Sequence, residues 1–287
     1  MLVRTVVRAM IADRQPYSKE IKMEYKLLAV DIDGTLLNSE GVLTETTKNA
    51  IYDAIDKGVI FVICTGRPIQ GVSSLNDEIG RDLPFIIYNG SMVVKGKSKE
   101  ILYQRSLQLD EARKVYELGN ECDTTMIFWS NNRLYVNRPD EKAKEYSRLT
   151  NTPYIAINDI DDIPDEITKI LWYDDPGKLL EYQKQFTGKL NDNINYHLSR
   201  PYFLEFVDRE ATKAIAIEKL CEYYHIDISQ TIAVGDGYND VSMIKIAGLG
   251  VAMENAPEDI KQMANYVTTS CDHEGVANVI KKFILEE

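Results

Sequence analysis

Two aspartates one residue apart, Asp31 and Asp33, close the run Leu27-Leu28-Ala29-Val30-Asp31-Ile32-Asp33-Gly34-Thr35-Leu36-Leu37. Carboxylates this close repel each other, so a site that keeps both usually holds a cation or leaves one protonated. A hard divalent ion such as Mg2+ takes oxygen ligands and suits such a pair. The plainer account of an isolated D-x-D is a solvated strand end followed by an Asx turn. Here the aspartates follow Leu27-Leu28-Ala29-Val30, which shows no polar alternation. That pattern suits a strand covered on both faces, as in a parallel sheet flanked by helices. Ligands of open α/β sheets bind beyond the carboxyl ends of the strands. Asp31 and Asp33 therefore fall where such a fold does its chemistry.

Three later pieces offer matching chemistry. Gly235-Asp236-Gly237-Tyr238-Asn239-Asp240 follows another apolar run, Thr231-Ile232-Ala233-Val234, and brings two more carboxylates and an amide to a strand end. A structural turn would need the glycines but not this acid pattern. Thr65-Gly66 ends the apolar run 59–64, and a hydroxyl with free backbone N–H groups can donate to a phosphoryl oxygen. Arg67 follows directly. Lys213 opens a helix, where the macrodipole disfavours a cation, so its presence there calls for another reason.

These residues need elements to hold them. Thr44 as N-cap, Ala50, Ile51, Ala54 and Ile55 at helical spacing, and Gly58 at the end predict a helix after the first strand. Strands are expected at 59–64 and 84–88, with a helix between them. Strand, helix, strand, helix, strand with short links predicts a doubly wound, Rossmann-like α/β fold with a parallel sheet. From about 91 to 199 the rhythm changes to short β pieces (92–94, 126–129, 134–136, 170–173, 195–198) mixed with charged helical stretches (109–118, 141–149). We read 91–199 as an α+β module inserted into a core made of 23–90 and 200–287. The doubly wound rhythm resumes with a helix at 211–224, strands at 231–234, 249–253 and 266–268, and helices ending near 247, at 257–263 and at 275–285.

In order and position these pieces resemble the four motifs of the haloacid dehalogenase superfamily. Asn255-Ala256-Pro257 and the size and place of the insertion resemble its Cof-type branch. The resemblance implies a phosphatase of small phosphorylated metabolites, sugar phosphates or similar, with Mg2+ as cofactor and an aspartyl-phosphate intermediate. It implies that Asp31 attacks phosphorus and Asp33 is general acid and base. Thr65, Gly66, Lys213 and Asn239 would hold the phosphoryl group. Mg2+ would be bound by Asp31, the backbone carbonyl of Asp33 and Asp236, with Asp240 and Arg67 in support. The family commonly has Gly after the motif-three lysine, whereas this chain has Ala214. The inserted module would be a cap that excludes water and chooses the leaving group. A phosphosugar mutase and a non-catalytic phospholigand sensor are the competing readings. A P-type ATPase would need membrane spans.

Composition bounds the rest. The 287 residues can bury a large core and make two domains. Lys plus Arg total 33 against 45 Asp plus Glu, a net charge of −12, which argues against a general nucleic-acid or anionic-membrane surface. No run of about 18 apolar residues predicts a transmembrane helix. Cys64, Cys122, Cys221 and Cys271 form no C-x-x-C pair and read as reduced thiols of a cytoplasmic protein. His197, His225 and His273 lack metal-ligand spacing, and His225 reads as a helix C-cap. A monomer or weak homodimer with a small phosphomonoester as its partner is expected. Residues 1–22 carry Arg4 and Arg8 within an apolar start, which spoils a secretory signal. We read them as an N-terminal extension or upstream start ahead of Met23, or else as an amphipathic helix.

Overall fold

The structure, a computed structural model, describes residues 24–286 except 187, 188 and 191. The expected N-terminal extension lies outside the described residues.

The chain begins its sheet at β1 (Leu27–Asp31), the strand with the uninterrupted apolar run. Leu28 and Val30 enter one apolar layer while Leu27 and Ala29 enter the opposite one, all fully buried. Burial on both faces leaves no place for polar alternation, which is why the run reads as it does. Helix α1 (Glu45–Asp56) follows, capped by Thr44, whose side chain accepts from the Thr47 amide. Then come β2 (Ile60–Cys64), α2 (Ser73–Ile79) and β3 (Pro84–Ile87). Strand β1 pairs in parallel with β2, and β2 with β3.

The next two strands depart from expectation. Met92–Lys95 (β4) and Ile101–Gln104 (β5) extend the core sheet as an antiparallel edge, β4 on β3 and β5 on β4. The change of rhythm at 91 had placed 92–94 in the insertion. The Tyr88–Gly90 turn instead folds β4 straight back on β3, and Met92, Val93 and Val94 are fully buried on the two faces of this sheet.

The inserted unit contains α3 (Leu109–Glu121), β6 (Thr125–Ser130), β7 (Arg133–Val136), α4 (Glu141–Thr150), β8 (Tyr154–Ala156), β9 (Ile167–Tyr173), α5 (Pro176–Gln185), β10 (Ile194–Arg200) and β11 (Phe203–Asp208). Its six-stranded sheet runs β10-β11-β9-β6-β7-β8 and is antiparallel apart from the β7–β8 pair. It therefore takes in β11, beyond the expected change at 199, because Phe203 to Phe206 register against Tyr173 to Ile170 of β9.

The chain then returns to the core through α6 (Lys213–Tyr224), β12 (Thr231–Gly235), α7 (Val241–Ile246), β13 (Leu249–Ala252), α8 (Glu258–Met263), β14 (Tyr266–Val267) and α9 (Gly275–Ile280). The expected helix over 275–285 is α-helical only to Ile280 and continues as a π turn, Lys281–Leu285. The finished core sheet has the order β14-β13-β12-β1-β2-β3-β4-β5. Helices α1 and α9 cover one face. Helix α6, through Ala216, Ile217 and Leu220, covers the other. The two crossings between core and insertion lie side by side: Arg105 meets Asp208 at 3.0 Å and Glu210 at 2.9 Å. No helix among the described residues is long and apolar enough to cross a membrane.

Candidate active site

Strand β1 sits at the middle of the sheet between β12 and β2. The carboxyl ends of these three parallel strands deliver Asp31, Thr65 and Asp236 to one edge. Lys213 reaches them from α6, whose start is fixed by the Thr212 side chain accepting from the Ile215 amide at 3.2 Å. The lysine is 1% exposed. Its Nζ donates to Asp31 Oδ1 and Asp240 Oδ1, each at 2.6 Å, and to the Cys64 carbonyl at 3.2 Å. The dipole argument against a cation at this helix end is thus answered by two buried carboxylates.

Asp240 is fully engaged, since its Oδ2 accepts from the amides of Asp236 and Gly237 at 3.1 and 2.9 Å. It braces both the lysine and the loop that carries Asp236. Asp236 accepts from the Thr35 hydroxyl at 2.9 Å. Asn255 Nδ2 donates to the Gly34 carbonyl at 2.8 Å and to Asp236 Oδ2 at 3.4 Å, tying the two acid loops together. They approach so closely that a Cβ on Gly34, at φ +81°, would lie 2.4 Å from Asp236 Oδ2.

Asp33 points elsewhere. Its carboxylate is gripped by Arg67, Nε to Oδ2 at 3.0 Å and Nη2 to Oδ1. Both side chains are open to solvent, at 62% and 43%. The Thr65 hydroxyl accepts from the Arg67 amide at 3.1 Å. Asn239 donates to Asn89 Oδ1 at 3.2 Å, and a Cβ on Gly66 would come within 3.0 Å of the same oxygen. Asn89 had no signal in the sequence reading. A Tyr-Asn-Gly turn with three positive φ angles in succession is the feature that marks it. The histidines stay apart from this edge. His225 is the left-handed C-cap of α6, His273 bonds Ser270, and His197 faces Glu205 across the β10–β11 ladder.

The electrostatics invite a cation. Asp31, Asp236 and Asp240 each offer a carboxylate oxygen within 4.8 Å of the others. Three carboxylates against one ammonium leave two negative charges unbalanced, the charge of one divalent ion. Burial pushes the Asp31 carboxyl up to about 7, against the pull of Lys213 and with the help of Asp240. Burial also raises Asp236, opposed by the Thr35 hydroxyl and aided by Asp240. Lys213 is likewise buried, which acts to lower it, but Asp31 and Asp240 outweigh that and hold it firmly protonated. Hard oxygen donors in this number fit Mg2+. Asp240 is held by Lys213 and two backbone amides, so Asp31 and Asp236, with fewer bonds each, are the side chains better placed to turn toward the ion.

A family model for haloacid dehalogenase-like hydrolases matches residues 28–280. A Bacillus subtilis relative, the 5-amino-6-(5-phospho-D-ribitylamino)uracil phosphatase YcsE, is 30% identical over 265 residues, spanning 92% of this chain and 97% of its own. Among solved structures, a haloacid dehalogenase-like hydrolase from Bacteroides thetaiotaomicron superposes with a TM-score of 0.80 at 32% identity, over 90% of this chain and 99% of that one. The subclass IIB sugar phosphatase BT4131 superposes with a TM-score of 0.73 at 26% identity, over 90% and 98%.

Proposed function

The chain belongs to the haloacid dehalogenase-like hydrolases and is a phosphatase of the Cof-type branch, and from that premise we propose a Mg2+-dependent hydrolase of small phosphomonoesters that works through an aspartyl-phosphate at Asp31. The observation that carries this reading is the buried triangle of Lys213 with Asp31 and Asp240, beside Asp236.

Asp31, Asp236 and the backbone carbonyl of Asp33 would hold Mg2+, whose charge screens the repulsion between the Asp31 carboxylate and an anionic phosphoryl group. Asp31 attacks phosphorus in line, and the bond to the leaving oxygen breaks with its electron pair going to that oxygen. Asp33 supplies the proton the leaving alcohol needs, then takes one from the water that hydrolyses the phosphoaspartate. To do so its carboxylate exchanges its contact with Arg67 for one with substrate. Lys213, the Thr65 hydroxyl, nearby backbone amides and Asn239 stabilise charge on the equatorial oxygens.

The inserted unit is the part we assign to choosing the leaving group. YcsE is named for a phosphorylated ribityl compound and BT4131 for sugar phosphates. Both names point to polyhydroxylated alcohols as the class to test first. We place the chain in the cytoplasm as a monomer or weak homodimer, with no nucleic-acid partner, in keeping with its free cysteines and net charge of −12.

Hydrolysis of p-nitrophenyl phosphate with and without Mg2+ tests the reaction, and a panel of phosphorylated sugars and sugar alcohols tests the class. Asp31→Asn should abolish turnover while the protein stays folded. Substantial retained activity would remove Asp31 as nucleophile.

A further inference from the structure

Tyr88 is 1% exposed and stands in left-handed backbone, at φ 52°. Bulky side chains rarely adopt this region, and such a residue persists only where its surroundings over-determine it. The contacts that hold it come from two sides of the molecule.

Its backbone belongs to the catalytic edge. The Tyr88 amide donates to the Arg67 carbonyl at 3.3 Å, and its own carbonyl accepts from Ser91 Oγ at 3.0 Å. The next residue, Asn89, donates its amide to the Thr65 carbonyl at 3.0 Å and accepts from Asn239. Gly90, at φ +110°, presses on Thr212 and Lys213 so closely that a Cβ there would meet the Thr212 carbonyl at 2.2 Å. The side chain of Tyr88 belongs to the inserted unit. Its ring centroid lies 5.5 Å from that of Trp129, and Lys169 Nζ stands 5.5 Å above it. Its hydroxyl donates to Asn132 Oδ1, on the β6–β7 turn, at 3.3 Å. Gln70 Nε2 meets the Asn132 carbonyl at 2.8 Å beside it.

We propose that Tyr88 is a positioning residue that couples the seating of the inserted unit to the alignment of the phosphate-binding groups, an inference that rests on the roles given above to Thr65, Lys213 and Asn239. While the ring is held by Trp129, Lys169 and Asn132, the turn keeps its strained form and Asn89 stays on Thr65 and Asn239. When the inserted unit lifts, the ring loses its partners, the turn relaxes, and those three groups lose their common register. Full phosphate binding is thereby tied to a seated cap.

Tyr88→Asn tolerates left-handed backbone but removes the ring. Emptying the socket of a buried ring lowers the melting temperature, so kcat is read per folded protein, and it is expected to fall by about tenfold or more. Affinity for inorganic phosphate, measured by calorimetry with Mg2+ present, should weaken in parallel. Tyr88→Phe keeps the ring contacts and loses only the hydroxyl's bond to Asn132, so it should recover part of both. Asn132→Gly keeps the hairpin turn and removes the hydroxyl's acceptor. It should shift kcat in the same direction and add little to Tyr88→Asn. Wild-type kcat and phosphate affinity in Tyr88→Asn, or losses that simply add in the double variant, would overturn the proposal. A wild-type chain that binds phosphate but hydrolyses no phosphomonoester would sink the functional reading instead, and the affinity measurement would still decide the part played by Tyr88.

Discussion

Lys213 is the residue whose removal the site can least accommodate. It sits between Asp31 and Asp240 with its own side chain fully buried. Lys213→Met would leave two carboxylates facing each other without a counter-charge. Breaking a buried pair in this way costs roughly 3–5 kcal/mol, and kcat should fall by about a hundredfold or more through lost charge stabilisation. Denaturant unfolding together with turnover of the folded fraction checks both. Asp31 carries the pH dependence. Raised to about 7 by burial, it is protonated below that pH, and a cation needs it ionised. Apparent Mg2+ affinity should therefore drop as pH falls below about 7, by up to about tenfold per unit, as titration calorimetry at several pH values would show. The stability sign is the opposite. The folded chain holds the extra proton, so without a bound cation this stabilisation is present below about pH 4 and is lost as pH rises through about 7. The strand-end positions of Asp31 and Asp236 were legible because each ends or follows an unbroken apolar run. The grip of Arg67 on Asp33 and that of Asn89 on Asn239 were not, since each joins side chains from loops that only tertiary packing brings together.

At the scale of elements, β1, β2, β3, β12 and β13 could be read from sequence, because burial on both faces leaves an uninterrupted apolar signature. The edge strands were harder. β5 is largely half-buried with one exposed residue, and β8 has two exposed residues out of three, so neither carries that signature. β4 was seen as a strand but given to the wrong sheet, since local pattern does not say which partner a buried strand will take. What sends it back on β3 is the Tyr88–Gly90 turn, and that turn also sets the start of α6. Gly90→Ala would force a Cβ into the Thr212 carbonyl at a backbone angle that alanine avoids. A loss of about 1–3 kcal/mol is expected, with kcat lowered severalfold because Lys213 follows Thr212. A variant with unchanged unfolding midpoint and unchanged turnover would show that the close approach is not needed.

For the whole molecule, the insertion was visible as a change of rhythm, but its attachment was not. Arg105 on the outgoing crossing pairs with Asp208 and Glu210 on the returning one, and the Asp208 side chain is only 2% exposed. Arg105→Gln leaves that carboxylate without its cation and loosens the junction about which the unit would move. Hinge changes tend to move kcat and KM together. For phosphorylated sugars KM should rise about threefold or more, with a smaller change for p-nitrophenyl phosphate. Equal shifts for both substrates would argue against a hinge.

The same junction has an evolutionary reading. Everything between Arg105 and Asp208 hangs from one narrow stalk, with exit and re-entry close enough to share an ion pair. A different module could be grafted at that stalk without severing any bond of the lysine–aspartate triangle. The socket that receives the Tyr88 ring and the contacts of Asn132 with Gln70 and Met92 would have to be rebuilt, so successful chimeras should be those whose grafted hairpin supplies a new aromatic or cationic seat for the ring.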